Sequence, residues 1–171
     1  MTTALTLATD LLTCLQTALL AGPNPPPENK IMLRAGGEVT PLLALGTDEC
    51  CTGLGWVRIA GISGARTIDD PLIRCFTNER ILTLELGVAR CAPMGTVQDV
   101  PSEDDWTASA TQLDADQGAM EEAICCAFAA VPELNGAVAA VGEYAPFGVD
   151  GNCIGGTMTV LMNYDACCIG S

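Results

Sequence analysis

Ten cysteines and no histidine set the chemical limits of this 171-residue chain. Without imidazole there is no ordinary general base, no histidine ligand for zinc, and no Ser-His or Cys-His nucleophile pair. The only lysine, Lys30, follows a Pro-rich segment, and the acids fall on helix faces and in turns, so neither Cys-Lys nor paired-carboxylate chemistry is supported. This pattern argues against an enzyme. Three cysteine pairs are adjacent: Cys50-Cys51, Cys125-Cys126 and Cys167-Cys168. Zinc and iron–sulfur sites space their ligands so that two sulfurs face one ion, and no Cys-x-x-Cys occurs here, which disfavours metal. Neighbours in a strand point to opposite faces, and neighbours on a helix stand about 100° apart, so each pair serves two directions. With Cys75, Cys91 and Cys153 they form the candidate structural set. Cross-links from the sheet edges to Cys167-Cys168 would close long loops and stabilise by about 2 to 4 kcal/mol each. The alternative is that the thiols are buried as small apolar side chains.

The elements that must position these groups centre on Ile81 to Cys91, where Leu82, Leu84, Leu86 and Val88 alternate with Thr83, Glu85, Gly87 and Ala89. That is a strand with one buried face, and it needs neighbours. Leu54 to Ile62 reads as one, to be reached through a long polar loop; Met158, Val160, Met162 and Tyr164 mark another; Ile31 to Gly46 suggests one irregular strand. Residues 135 to 151 read as a small-residue stretch and a turn-rich approach. A helix is predicted over 3 to 21, capped by Thr2 or Thr3, with Leu5, Ala8, Leu12, Leu15 and Leu19 inward and its end at Gly22-Pro23. A second helix, about 102–131, opens on Ser102 with Asp105 three positions on. It turns Trp106 and Met120 inward, leaves Asp114, Asp116, Glu121 and Glu122 outside, and stops at Pro132. The sum is one α+β domain over 1–171: an N-terminal helix (1–22), a Pro-rich connector (23–30), and a body (31–171) with a mixed or antiparallel sheet of about four strands.

The formal charge of −14 is unevenly spread: all seven basic residues lie between Lys30 and Arg90, and residues 91 to 171 hold twelve acids and no base. Such a chain repels phosphate, so DNA is expected only as passing cargo. No run of about 20 consecutive apolar residues marks a membrane span, and no basic leader precedes the first apolar stretch, which predicts synthesis inside the cell. Gly61 to Arg66 lacks the spacing of a phosphate cradle and reads as a turn.

Several words of the sequence carry a resemblance. Cys50 to Arg58 (CCTGLGWVR), Leu84 to Pro93 (LELGVARCAP), Cys125-Cys126, Gly151 to Gly156 (GNCIGG) and Cys167-Cys168 together resemble a cysteine-rich neck protein of actinobacterial tailed phages, of the tail-terminator family, over roughly Cys50 to Cys168. The resemblance implies a virion subunit assembled in the host cytoplasm. It would form a hexameric ring at the head-proximal end of the tail, ending tail-tube polymerisation and joining the tail to the head connector. Its partners would be the major tail-tube protein and a connector or stopper protein, with no cofactor and no membrane. Arg66, Arg74 and Arg80, in the loop they bound, and the 23–38 segment become candidate contacts to Asp114, Asp116, Glu121 or Glu122 of a neighbour. Another neck protein (stopper or adaptor), an independent disulfide-stapled binding domain, and a redox or metal protein are the competing expectations.

Overall fold

The computed structural model describes residues 3–34, 36, 52–64, 79–93, 100–130, 138–150 and 152–165. Cys50, Cys51, Cys75, Cys167, Cys168, Arg66 and Arg74 lie outside them, as does the whole 65–78 connection. At the centre is β3 (Glu79–Cys91), where Leu82, Leu84, Leu86 and Val88 are buried on one face as their alternation requires. It pairs antiparallel with β2 (Leu54–Gly64) and with β6 (Cys153–Asp165), whose Met158, Val160 and Met162 continue the same apolar face. A short β1 (Ile31–Arg34) adds parallel to β2, with Arg34 in register with Arg58. On the other side β4 (Val138–Val141) and β5 (Ala145–Asp150) each pair antiparallel with β6.

The fold is α+β, as expected, but among the described residues the mixed sheet has six strands instead of about four. The two additions come from the stretch read as small residues and turns. Pro146 and Gly148 suppress any alternation in β5, and β4 is four small or β-branched residues, so their strand character comes from the donors and acceptors of β6. Asn152, at φ +69°, occupies the tight β5–β6 turn.

Helix α1 (Ala4–Ala21) begins where the Thr3 hydroxyl accepts from the Thr6 N–H at 3.1 Å. Its buried stripe is Leu7, Ala8, Leu11, Cys14, Leu15, Ala18 and Leu19. The stripe is rotated from the expected one: Leu5 is 57% exposed and Leu12 only partly buried, because the run 7-11-14-18 faces the sheet and α2 together. By length and composition α1 is apolar enough to cross a membrane, yet here it is a core helix, and its four buried leucines contribute about 1.5–3 kcal/mol each. The helix ends as Gly22 turns extended (φ −75°); the left-handed residue is Asn24, at φ +51° between two prolines.

Helix α2 (Glu103–Ala130) starts at a reciprocal cap in which Ser102 N–H donates to the Asp105 carboxylate at 2.9 Å and Asp105 N–H donates to Ser102 Oγ at 3.2 Å. The Ser102 hydroxyl, then its backbone N–H, hold the Asp105 carboxyl below the usual aspartate range. Met120 is buried as expected with Ala119, Ala123, Ile124 and Ala127; Trp106 is not, being 46% exposed, because the first turns of α2 run beyond the sheet's apolar face. Both helices pack on the face carrying Leu82 to Val88.

Candidate functional site

The polar chemistry gathers in two ionic clusters, one on each face of the sheet. Beneath the helices, β3 sends Arg90 toward α2, where its Nε and Nη2 donate to the two carboxylate oxygens of Asp116 at 2.8 and 2.6 Å. Gln112 Nε2 donates to the same carboxylate at 3.0 Å, Asn24 Nδ2 donates to Gln112 Oε1 at 2.8 Å, and Arg90 Nη1 donates to the Asn24 carbonyl at 2.8 Å. The hydrogen bonds thus close a circuit joining the connector, β3 and α2. The pair is deeply set, with side-chain exposures of 11% for Arg90 and 3% for Asp116. A buried fork of this kind earns little net stability over an apolar pair but severely penalises loss of one partner. Gly53, at φ +87°, lets β2 begin against this circuit; a Cβ there would stand 2.6 Å from Arg90 Nη1 and 2.8 Å from Pro26. Nearby the Tyr144 ring lies over Gly156, and its hydroxyl is buried without a partner. Burial, and secondarily the Asp116 charge, push the Tyr144 phenol above its ordinary pKa.

The other face, which neither α1 nor α2 covers, holds the second cluster. Arg58 on β2 and Glu85 on β3 are cross-strand partners and form a two-pronged ion pair at 2.7 and 2.6 Å. Trp56 Nε1 donates to the same carboxylate at 3.2 Å, and the indole is wholly buried among Leu54, Ala89, Cys153, Met32 and Phe147. Trp56 lies so close over Gly87 that any side chain there would overlap its ring. Arg34, next in the cross-strand row, has its Nε buried with no hydrogen-bond partner.

A covalent link complements these clusters: Cys14 of α1 and Cys126 of α2 form a disulfide with Cα atoms 5.9 Å apart, spanning 112 positions of sequence. Cys91 and Cys153 each take part in a disulfide as well, whereas Cys125 is an exposed free thiol and not a structural cysteine. The Cys125-Cys126 pair therefore does point two ways. Among the described residues no group of three or more Cys, Asp or Glu is placed to hold a metal ion.

Of the candidate contacts, Asp114, Glu121 and Glu122 are exposed on α2. Asp116 is not available to a neighbour: at 2% exposure it belongs to Arg90 of its own chain. Arg80 lies inside β3, partly buried and engaged within the chain, and not in a loop. The 23–38 segment is partly committed too, through Asn24, buried Pro26 and β1. Cys14 was missed, although its place one turn beyond Leu11, on the face with Leu7, marks it as core. Arg90 and Asp116 were missed as a pair; Asp116 stands four residues before Met120, on the inward face, and that was the available signal. No protein-family model matches the sequence, and no curated protein matches it.

Proposed function

We propose that the chain is a structural ring subunit of a phage neck, the tail terminator: it would form a hexamer at the head-proximal end of the tail, end tube polymerisation and join the tube to the head connector. The observation that carries this reading is the order of elements: α1, the strands β1 to β3, α2, then β4, β5 and the long β6 returning to the sheet; terminators of this type usually show an N-terminal helix, a sheet, a further helix and a final strand, and β4 and β5 are additional here. The two buried carboxylate clusters serve it as well, since Asp116 and Glu85 are each held by an arginine fork that fixes elements in place and leaves neither carboxylate poised for acid–base work. An acidic helix surface without a single base suits a lumen through which DNA slides.

Light scattering coupled to size exclusion tests it. Six copies of a 17.7 kDa chain would give a particle of about 106 kDa, with six-fold rings in negative stain. A monomer at all concentrations sinks the ring. The disulfide between Cys14 and Cys126 favours one second reading, an independent stapled binding domain, which would be monomeric and lose most of its thermal stability on reduction.

A further inference from the structure

The disulfide between α1 and α2 opens to solvent at one end. Cys14, at 7% exposure, belongs to the buried stripe of α1, whereas Cys126 is exposed on α2 and its neighbour Cys125 is an exposed free thiol. Thiol–disulfide exchange begins when a thiolate attacks one sulfur of the bond, and access decides which sulfur that is. A thiolate arriving from solvent meets Cys126 and not Cys14, so it joins Cys126 and releases Cys14 into the core.

Cys125 cannot replace that incoming thiol. Consecutive Cα atoms are about 3.8 Å apart, short of the roughly 4.4–6.8 Å that a disulfide spans, and on a helix the two side chains diverge by about 100°. The link therefore persists beside a free thiol of its own chain and yields to an external one. Opening it does not require unfolding, because Leu7, Leu11, Leu15 and Leu19 pack α1 into the core independently of the sulfur atoms. The surroundings also select the thiol. Exposed Glu121 and Glu122 stand one turn before Cys125 and Cys126, on a helix with seven acids and no base, so an anionic thiol is repelled and a cationic one attracted.

We propose that Cys126 is the entry site of a redox clasp, at which a small cationic thiol opens, and its disulfide closes, the link between α1 and α2 in the folded protein. In opening, the thiolate RS− bonds to Cys126 Sγ; the Cys14–Cys126 bond breaks with its electron pair on Cys14, which takes up a proton. A second RS− attacks the RS sulfur of this mixed disulfide and forms RSSR, while Cys126 leaves and is protonated. Two RSH are thus oxidised to RSSR and one protein disulfide is reduced to two thiols. Closing is the reverse, with RSSR as the oxidant. None of this depends on the ring reading.

Cysteamine and 3-mercaptopropionate, one cationic and one anionic, test it on the full-length protein in the absence of denaturant. Alkylation and peptide mass spectrometry follow each cysteine, and far-UV circular dichroism follows the fold. The rate of opening should rise linearly with thiolate concentration, with the adduct on Cys126 and an unchanged spectrum. Per thiolate, cysteamine should be faster by roughly threefold or more at low salt, the two converging in about 1 M salt. Cys14→Ser, which removes the resolving thiol, should retain the adduct on Cys126 after treatment with cystamine; if that variant does not fold, the concentration dependence of the wild type decides. A rate that levels off at the rate of global unfolding, an adduct on Cys14, or collapse of the spectrum on opening overturns the clasp. Equal rates for the two thiols at low salt overturn the assignment of a cationic thiol.

Discussion

Replacing Asp116 by asparagine should be among the most damaging isosteric changes available to this protein. The carboxylate accepts from Arg90 Nε, Arg90 Nη2 and Gln112 Nε2 at 2.8, 2.6 and 3.0 Å. An asparagine keeps one acceptor oxygen and turns an NH2 group toward donors. Arg90 is left charged at 11% side-chain exposure with neutral acceptors alone, the Asn24 carbonyl and the new amide oxygen. Losing one partner of a buried pair costs about 3–5 kcal/mol; because this arginine keeps these neutral acceptors, we expect about 3–4 kcal/mol. Arg90→Met should cost a similar amount by stranding the carboxylate. Arg90→Met with Asp116→Leu, which removes both charges, should cost clearly less than the sum, with a coupling of about 2–3 kcal/mol. Urea unfolding under non-reducing conditions, followed through the fluorescence of buried Trp56 and by circular dichroism, reads these values, provided that the m-value is unchanged. A cost below about 1 kcal/mol for Asp116→Asn, or additive single and double variants, would refute the claim that the circuit holds connector, β3 and α2 together.

Opening the link between the helices with Cys14→Ala and Cys126→Ala should cost about 2–4 kcal/mol; an unchanged non-reducing melt refutes this. Gly87→Ala should drive a methyl into the Trp56 ring and cost about 1–3 kcal/mol with a red shift in emission, whereas Gly118→Ala, on the open side of α2 with nothing within 4 Å, should stabilise by up to about 1 kcal/mol. The raised Tyr144 pKa adds a pH dependence: the unfolded state releases the phenol proton first, so this group's share of stability is complete below about pH 10 and is lost as pH rises toward the folded-state value. Tyr144→Phe should therefore flatten the alkaline fall and be neutral or slightly stabilising at pH 7; parallel stability curves between about pH 9 and 11.5 would count against it.

What the sequence revealed tracks where one physical signal dominated. The Leu82 to Val88 alternation and the Met158 to Met162 repeat are period-2 patterns set by a single buried face, and both strands stand where the pattern puts them. The Ser102–Asp105 cap was readable because its chemistry is local. Strands β4 and β5 were not, since their pairing is supplied by β6 and their own residues carry no period. Helix phase failed at Leu5 and Trp106 because an apolar side chain at a helix end can follow the stripe without having anything to pack on. Asp116 looked like its six acidic neighbours on α2, and only the position of a strand residue, Arg90, distinguishes it. The search for adjacent cysteines drew attention away from Cys14, which has no sequence neighbour of its kind.

The wide separation of α1 from α2 shapes how the protein is made. During translation at roughly 5–20 residues per second, some 5 to 20 seconds pass between the emergence of Cys14 and of Cys126, 112 positions later. Until β1 to β3 and then α2 have emerged to cover it, the nascent helix shows Leu7, Leu11, Leu15 and Leu19 to its surroundings. Chaperones, or the surface of a nearby bilayer, compete for that stripe before α2 leaves the ribosome.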